Sequence, residues 1–339
     1  MTHELKEIIS SFIKAKKQGA KCALVSLVYL NGSSYRKPGV RMLLTETGEM
    51  TGAVSGGCVE KEIQRQTIAV FKSNIPKLMV YDGRYRLGCE GQLYLLIEPF
   101  NPSEEIIDAF NNSLKKRNSF YIHSYFKLEE GEQPNSGSKF SFETETWLPV
   151  FNTKIDTSYK VFKQLFKPSF RLVIIGAEHD AVALTALASF LGWEVVVVAN
   201  ALNKQTIANF PGAIDLIQTE PNFLNLNWVN KQAAIVFMTH SYAKDLQYLV
   251  ALKETNPAYI GLLGPKDRRE KILNAFIENY PMVKDEFLDA IYGPAGLNIG
   301  SETAQEIALS ICAEILSVTR QKTPDFLKNK KLSIHSNER

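Results

Sequence analysis

Apolar positions along this chain follow two successive patterns. In the first, strand-like runs are separated by polar turns and a few amphipathic helices. MTHELKEIISSFIKAKKQG reads as an opening helix with acids among its lysines. Cys22 to Leu30 is an apolar strand, ended by the turn NGSSYRKPG, and VRMLLTE follows as a second strand. TGEMTG marks a hairpin turn. A helix from Val59 to about Phe71 places Val59, Ile63, Val70 and Phe71 on one side. LMVYD and LYLLIEP are strands, and Ser103 caps the helix SEEIIDAFNNSLKKR, acidic in its first turn and basic in its last. Two more strands, around Phe120 to Lys127 and Phe140 to Val150, flank GEQPNSGS, whose composition predicts a disordered loop.

Residues 151–169 read as a linker with a short helix, closed by Pro168. Beyond it the pattern changes. RLVIIG, WEVVVVA, AIDLIQ, AAIVFMTH, AYIGLLG and DAIYGP are buried-type strands spaced by helical segments. Such alternation predicts a parallel sheet covered on both faces. The last helix, Ala304 to about Val318, begins with Thr303 and Glu306 at capping-box spacing and carries a stripe of Ile307, Ile311, Ile315 and Val318. The expected fold class is therefore α/β: a mixed α/β domain over 1–150, the linker 151–169, a Rossmann-like doubly wound domain over 170–320, and a polar tail over 321–339.

Composition narrows the function classes. The 339 residues are 45% hydrophobic, enough for two cores, and a net charge of +3 announces no nucleic-acid surface. No apolar run is long enough for a membrane span, and the N-terminus lacks a secretory signal, so the cytoplasm is the expected location. Cys22, Cys58, Cys89 and Cys312 show neither CxxC spacing nor disulfide density. Reduced thiols fit best, and five scattered histidines offer no zinc-ligand spacing.

The candidate chemistry lies in three places. VSGGCVE sets Cys58 directly after Gly56 and Gly57 at a helix start, where free N–H groups favour a thiolate and Glu60 and Glu62 oppose it. Cys58 is a candidate nucleophile, soft-metal ligand or sulfur acceptor, or else a small residue where a loop packs tightly. RLGCEGQ repeats the pattern with Gly88, Cys89 and Gly91. The turn carrying Arg36 and Lys37, with Arg41 just after it, offers cations and backbone donors to an anion, or is an ordinary solvated hairpin. In the second half, GAEHDA (Gly176 to Ala181) stands where a dinucleotide fingerprint belongs, but Glu178 replaces its second glycine, and Asn200 stands where an acid would hold the ribose. Both substitutions argue against NAD(P). His179, His240, Lys266, Arg268 and Arg269 fall at the same sheet edge as candidate binding or acid–base groups, with Asp245 a possible orienter of His240.

Together these segments resemble the XdhC/CoxI family, accessory proteins of molybdenum hydroxylases. GSSYRKPGVRMLLTETGEMTGAVSGGCVE is similar to its N-terminal signature and YDGRYRLGCEGQ to its second cysteine loop. GAEHDAVALTALASFLGWEVVVV is similar to its Rossmann entry, and FMTHSYAKD and YIGLLGPKDRR to the later sheet edge. GPAGLNIGSETAQEIALSICAEIL is similar to its closing motif. The resemblance implies a chaperone that carries the molybdenum cofactor (molybdopterin) and supports its sulfuration and insertion into a xanthine dehydrogenase-like hydroxylase. It also implies a cysteine desulfurase as partner and a homodimer. Gly56, Gly57, Cys58, Gly88, Cys89 and Gly91 are the positions carried over, with Cys58 and Cys89 as possible molybdenum contacts. The chain departs from the family at Glu178, Asn200 and Ala304. A nicotinamide-dependent oxidoreductase using His240 is the competing reading.

Overall fold

The computed structural model describes residues 1–34, 36–83, 91–142, 146–226 and 228–329, and the side chain of Cys58 also stands outside what is described. The chain divides into two compact units, Met1–Pro168 (with Leu327–Asn329 of the tail) and Ser169–Phe326. Among the described residues no helix is long and apolar enough to cross a membrane.

The first unit runs α1 (Thr2–Lys17), β1 (Cys22–Asn31), β2 (Arg41–Thr45), β3 (Met50–Gly52), α2 (Cys58–Ser73), β4 (Lys77–Asp82), β5 (Gln92–Pro99), α3 (Glu104–Lys116), β6 (Phe120–Phe126), β7 (Gly131–Glu132), β8 (Gly137–Ser141), β9 (Leu148–Pro149) and β10 (Lys160–Phe166). One antiparallel sheet has the order β3-β2-β1-β5-β4-β7, a second β10-β6-β8-β9. Strand side chains alternate between faces. Ala23, Val25 and Leu27 of β1 therefore join Val59, Ile63 and Val70 of α2, whereas Cys22 and Leu24 join Leu5, Ile8 and Phe12 of α1, Ile106 and Phe110 of α3, and Phe120 and Phe166 of the second sheet. Burial on both faces explains why β1 reads as a continuous apolar run rather than an alternating one.

Two expectations change here. GEQPNSGS is ordered: Gly131 and Glu132 pair with β4, and the buried Gln133 side chain donates to the carbonyls of Lys127 and Glu129 while accepting from Lys127 N–H and Ser136 Oγ. Its polar residues satisfy one another, so low hydrophobicity does not mean disorder. Within the expected linker, Lys160–Phe166 forms β10, paired antiparallel with β6 over seven residues. Lys160, Lys163 and Gln164 interrupt its apolar run out of step with strand alternation and mask the pattern.

The second unit runs β11 (Arg171–Ile175), α4 (His179–Phe190), β12 (Glu194–Ala199), β13 (Ala213–Gln218), β14 (Ala233–Phe237), α5 (Tyr242–Ala251), β15 (Tyr259–Leu262), α6 (Lys266–Asn279), α7 (Asp285–Leu288), β16 (Ile291–Tyr292) and α8 (Ala304–Arg320). All six strands are parallel, in the order β13-β12-β11-β14-β15-β16, and the order reverses between β11 and β14. Leu172 and Ile174 face a core made with α4 and α8, and Val173 and Ile175 face a core made with α5, α6 and α7. This is the doubly wound Rossmann architecture expected from the strand spacing. Thr303 caps α8 as predicted, accepting from Glu306 N–H at 3.3 Å while the Glu306 carboxylate accepts from Thr303 N–H at 2.9 Å.

Candidate functional site

Two of the predicted segments meet at one end of the first sheet. The turn after β1 and the segment around the second cysteine loop meet directly: β1 pairs with β5 at Asn31–Gln92, and β4 pairs with β5 at Asp82–Gln92. Asn31 Nδ2 donates to Gln92 Oε1 at 3.3 Å, and Gly83 N–H donates to the carbonyl of Gly91 at 3.0 Å. A Cβ on Gly91 would stand 2.4 Å from the carbonyl oxygen of Ser33, so only glycine permits this approach. Gly88 and Cys89 lie outside the described residues.

The glycine–cysteine segment opens α2, which packs on the same sheet, with Cys58 as its first helical residue. Lys21, just before β1, donates its Nζ to the carbonyl of Phe71 at 3.0 Å, which places the last turn of α2 near the beginning of β1. Gly57 is the N-cap, with a φ of 104° that an L side chain rarely adopts. The Glu60 carboxylate accepts from Ser55 N–H and Gly57 N–H, each at 2.7 Å, and so pins the loop. Glu60 works on the backbone, and Glu62 pairs with Arg65 at 2.5 Å. Among the described residues, a Cβ placed on Gly56 or Gly57 meets no heavy atom within 4 Å. Packing against the described residues is therefore not the reason for these glycines.

Of the three cations read around the first turn, Arg36 is half-buried, Lys37 is exposed, and Arg41 is a correction. Arg41 opens β2 with only 6% of its surface exposed. Its Nη1 donates to the carbonyl of Gly39 at 3.1 Å and to Gln164 Oε1, and the guanidinium lies 5.4 Å from the Phe166 ring. Burial lowers its pKa to about 10, so it stays charged near neutrality. It serves the interior and does not face an outside anion.

Residues 172–315 match the family model of the XdhC Rossmann domain, and residues 15–82 match that of the XdhC and CoxI family. The chain belongs to the XdhC/CoxI family. It is 28% identical to a probable xanthine dehydrogenase subunit of Bacillus subtilis over 89% of this chain and 94% of that one. It is 23% identical to the molybdenum cofactor insertion chaperone PaoD of Escherichia coli over 96% of this chain and 92% of that one. Among solved structures, it is similar to a Bacillus halodurans protein described as a xanthine dehydrogenase: the TM-score is 0.77 at 25% identity, over 94% of this chain and 97% of that one. The XdhC/CoxI segment at 15–82 contains both the Arg36–Lys37 turn and the glycine–cysteine helix start.

The Rossmann crevice of this XdhC/CoxI chain is arranged differently from the sequence expectation. Gly176, at the carboxyl end of β11, has a φ of 135°, and a Cβ there would stand 2.4 Å from the Met238 carbonyl oxygen. That glycine lets two strand ends approach each other, whatever else binds there. Glu178 and His179 are exposed at the start of α4. His240 has a φ of 54°, and its Nε2 stands 3.7 Å from Asp180 Oδ2. Asp180, not Asp245, is therefore its acidic neighbour. Asp245 is 1% exposed and accepts from Thr239 Oγ1 and from Arg268 Nη2, each at 2.5 Å. Burial raises its carboxyl pKa, against the lowering effect of those two partners. Arg268 is thereby drawn inward, and the Arg269 side chain lies against Gly293, where a Cβ would stand 2.9 Å from Arg269 Cδ. Lys266 remains outside, 3.5 Å from Glu270. The three side chains meet different partners and do not converge on one point.

Cys22 and Cys312 are buried, and burial pushes their thiol pKa values up to about 11 and about 12. Both are core residues, and no group of three or more potential metal ligands exists among the described residues. Sequence reasoning missed Glu98. This carboxylate of β5 is fully buried, accepting from Ser138 N–H at 2.8 Å and Ser138 Oγ at 2.6 Å. Its one visible signal is an acid inside the apolar run LYLLIEP.

Proposed function

We propose that this chain binds the molybdenum cofactor as cargo, supports its sulfuration, and delivers it to a xanthine dehydrogenase-like molybdenum hydroxylase. The observation carrying this reading is the open ground in front of Gly56 and Gly57, beside Cys58, in a loop pinned from behind by Glu60. Gly57 is required by its φ, but at Gly56 neither φ nor any contact among the described residues calls for a missing side chain. A flat, bulky ligand that must approach the backbone supplies the missing reason. The names of the relatives, a cofactor insertion chaperone and a xanthine dehydrogenase subunit, give the class of ligand and acceptor.

The cargo has a phosphate at one end and a dithiolene-bound metal at the other. Arg36, Lys37 and the turn's backbone donors suit the phosphate, and the thiolates of Cys58 and Cys89 suit the soft metal. The work is binding, exclusion of water and hand-off, with no covalent turnover in this chain. A cysteine desulfurase is the natural sulfur donor, a homodimer the assembly and the cytoplasm the setting. The test is purification alongside cofactor-producing machinery, followed by oxidative release and fluorescence of the pterin. The chain should carry pterin, and Cys58→Ser should lower both its loading and its activation of the acceptor hydroxylase. Full loading and activation by Cys58→Ser and Cys89→Ser would remove the thiols from the mechanism.

A further inference from the structure

We infer that Arg41 and Gln164 form a buried clamp that sets the conformation of the 32–39 turn, making them positioning residues for the anionic end of the cargo. This rests on the cofactor-binding reading above. The turn has two fastenings. One is at Asn31 and Ser33, against Gln92 and Gly91. The other is at Gly39, whose N–H donates to the Leu27 carbonyl at 2.8 Å, while Leu27 N–H donates to the Val40 carbonyl at 3.1 Å. The Gly39 carbonyl accepts from Arg41 Nη1 at 3.1 Å and from Gln164 Nε2 at 3.3 Å, and the two side chains bond each other. A Cβ on Gly39, whose φ is 107°, would stand 2.7 Å from Gln164 Nε2, so the amide is seated directly on this residue.

The choice of residues is costly as mere packing. A charged guanidinium inside the protein loses its hydration, and its Nε and Nη2 have no hydrogen-bond partner. An apolar pair would fill the same space at less cost. What an apolar pair lacks is a directional grip on the Gly39 carbonyl, two residues from Lys37. Gln164 comes from β10 of the second sheet, so the grip ties the turn to a rigid element distant in sequence. Arg36 and Lys37 then meet an anion from a preset backbone, and less ordering cost falls on binding.

Hydrogen exchange on the full chain, with cofactor binding measured beside it, tests the clamp. Gln164→Leu should speed exchange of the Gly39 amide, which donates to the Leu27 carbonyl, about tenfold or more while leaving the amides of β5 slow. It should also weaken affinity for the molybdenum cofactor about tenfold. Gln164→Glu, which keeps oxygens for Arg41 but loses the Nε2 donor to the Gly39 carbonyl, should recover slow exchange only in part. Combined with Arg36→Ala, Gln164→Leu should add little further loss, because both act through the same turn. Unchanged exchange at the Gly39 amide, or losses that simply add, would overturn the clamp. If Gln164→Leu does not fold, Arg41→Lys, which keeps the charge and loses the fork, reads the same quantities. A chain that binds no cofactor at all would defeat the functional reading alone, since the exchange arm needs no ligand.

Discussion

Gly56 and Gly57 stand side by side yet are glycines for different reasons, and the difference separates folding from binding. Gly57 needs its φ of 104°, so Gly57→Ala should cost about 1–3 kcal/mol of stability through backbone strain. Gly56 has no left-handed φ, and a methyl group there touches nothing within 4 Å. Gly56→Ala should therefore leave the melting temperature within about 2 °C of the parent chain, because surface substitutions away from special features stay within about 0.5 kcal/mol. Its cofactor loading should nonetheless fall severalfold, since the methyl group occupies the ground that the ligand must cover. Pterin fluorescence and a melting curve on one preparation decide the matter. Unchanged loading would mean that no ligand approaches this backbone.

At the level of elements, one link between the two antiparallel sheets is a buried carboxylate. Glu98 of β5 is held by Ser138 of β8, and burial raises its pKa from 4.5 to about 7 despite the Ser138 hydrogen bonds and the Arg41 charge. Between those two values the folded chain keeps a proton that the unfolded chain has released. Stability must then fall as pH rises from about 4.5 to 7, by about 3 kcal/mol at about 1.4 kcal/mol per pH unit. Arg41 stays protonated across that window and adds no slope. Glu98→Gln, neutral throughout, should lose this decline in denaturant unfolding at pH 5 and pH 8; the same slope in both proteins would place the proton elsewhere. No sequence pattern announces this group, because its partner lies 40 residues away. The legible elements are those whose signal is local: the capped helices α3 and α8, the apolar strands β11, β12 and β14, and the glycine–cysteine helix start. The illegible ones depend on distant partners. β10 shows its strand character only when β6 pairs with it, and Arg41 and Arg268 look like surface cations until Gln164 and Asp245 claim them.

For the whole molecule, the Rossmann order of the second unit makes a nicotinamide-dependent enzyme the natural rival to a cofactor carrier. Fold alone does not decide between them, since function resides in the site built on the fold. Two features of this crevice oppose a dinucleotide. The exposed carboxylate of Glu178 occupies the position where a pyrophosphate needs bare backbone, and Asp180 adds a second acid in the first turn of α4. At the end of β12, Asn200 is engaged internally: its Oδ1 accepts from Leu202 N–H at 3.0 Å and its Nδ2 donates to Glu220 Oε1 at 2.9 Å. The side chain that would greet a ribose is thus already bonded within the chain. Arg268, a candidate cation of the same sheet edge, is turned toward Asp245. Calorimetric titration of the full chain with NAD and with NADP should show no saturable binding in the micromolar range. Glu178→Gly combined with Asn200→Asp should bring such binding closer, because it restores both the bare approach and the ribose acceptor. Micromolar affinity in the unaltered chain would favour the oxidoreductase, and the second unit would then have to be read as a reaction site.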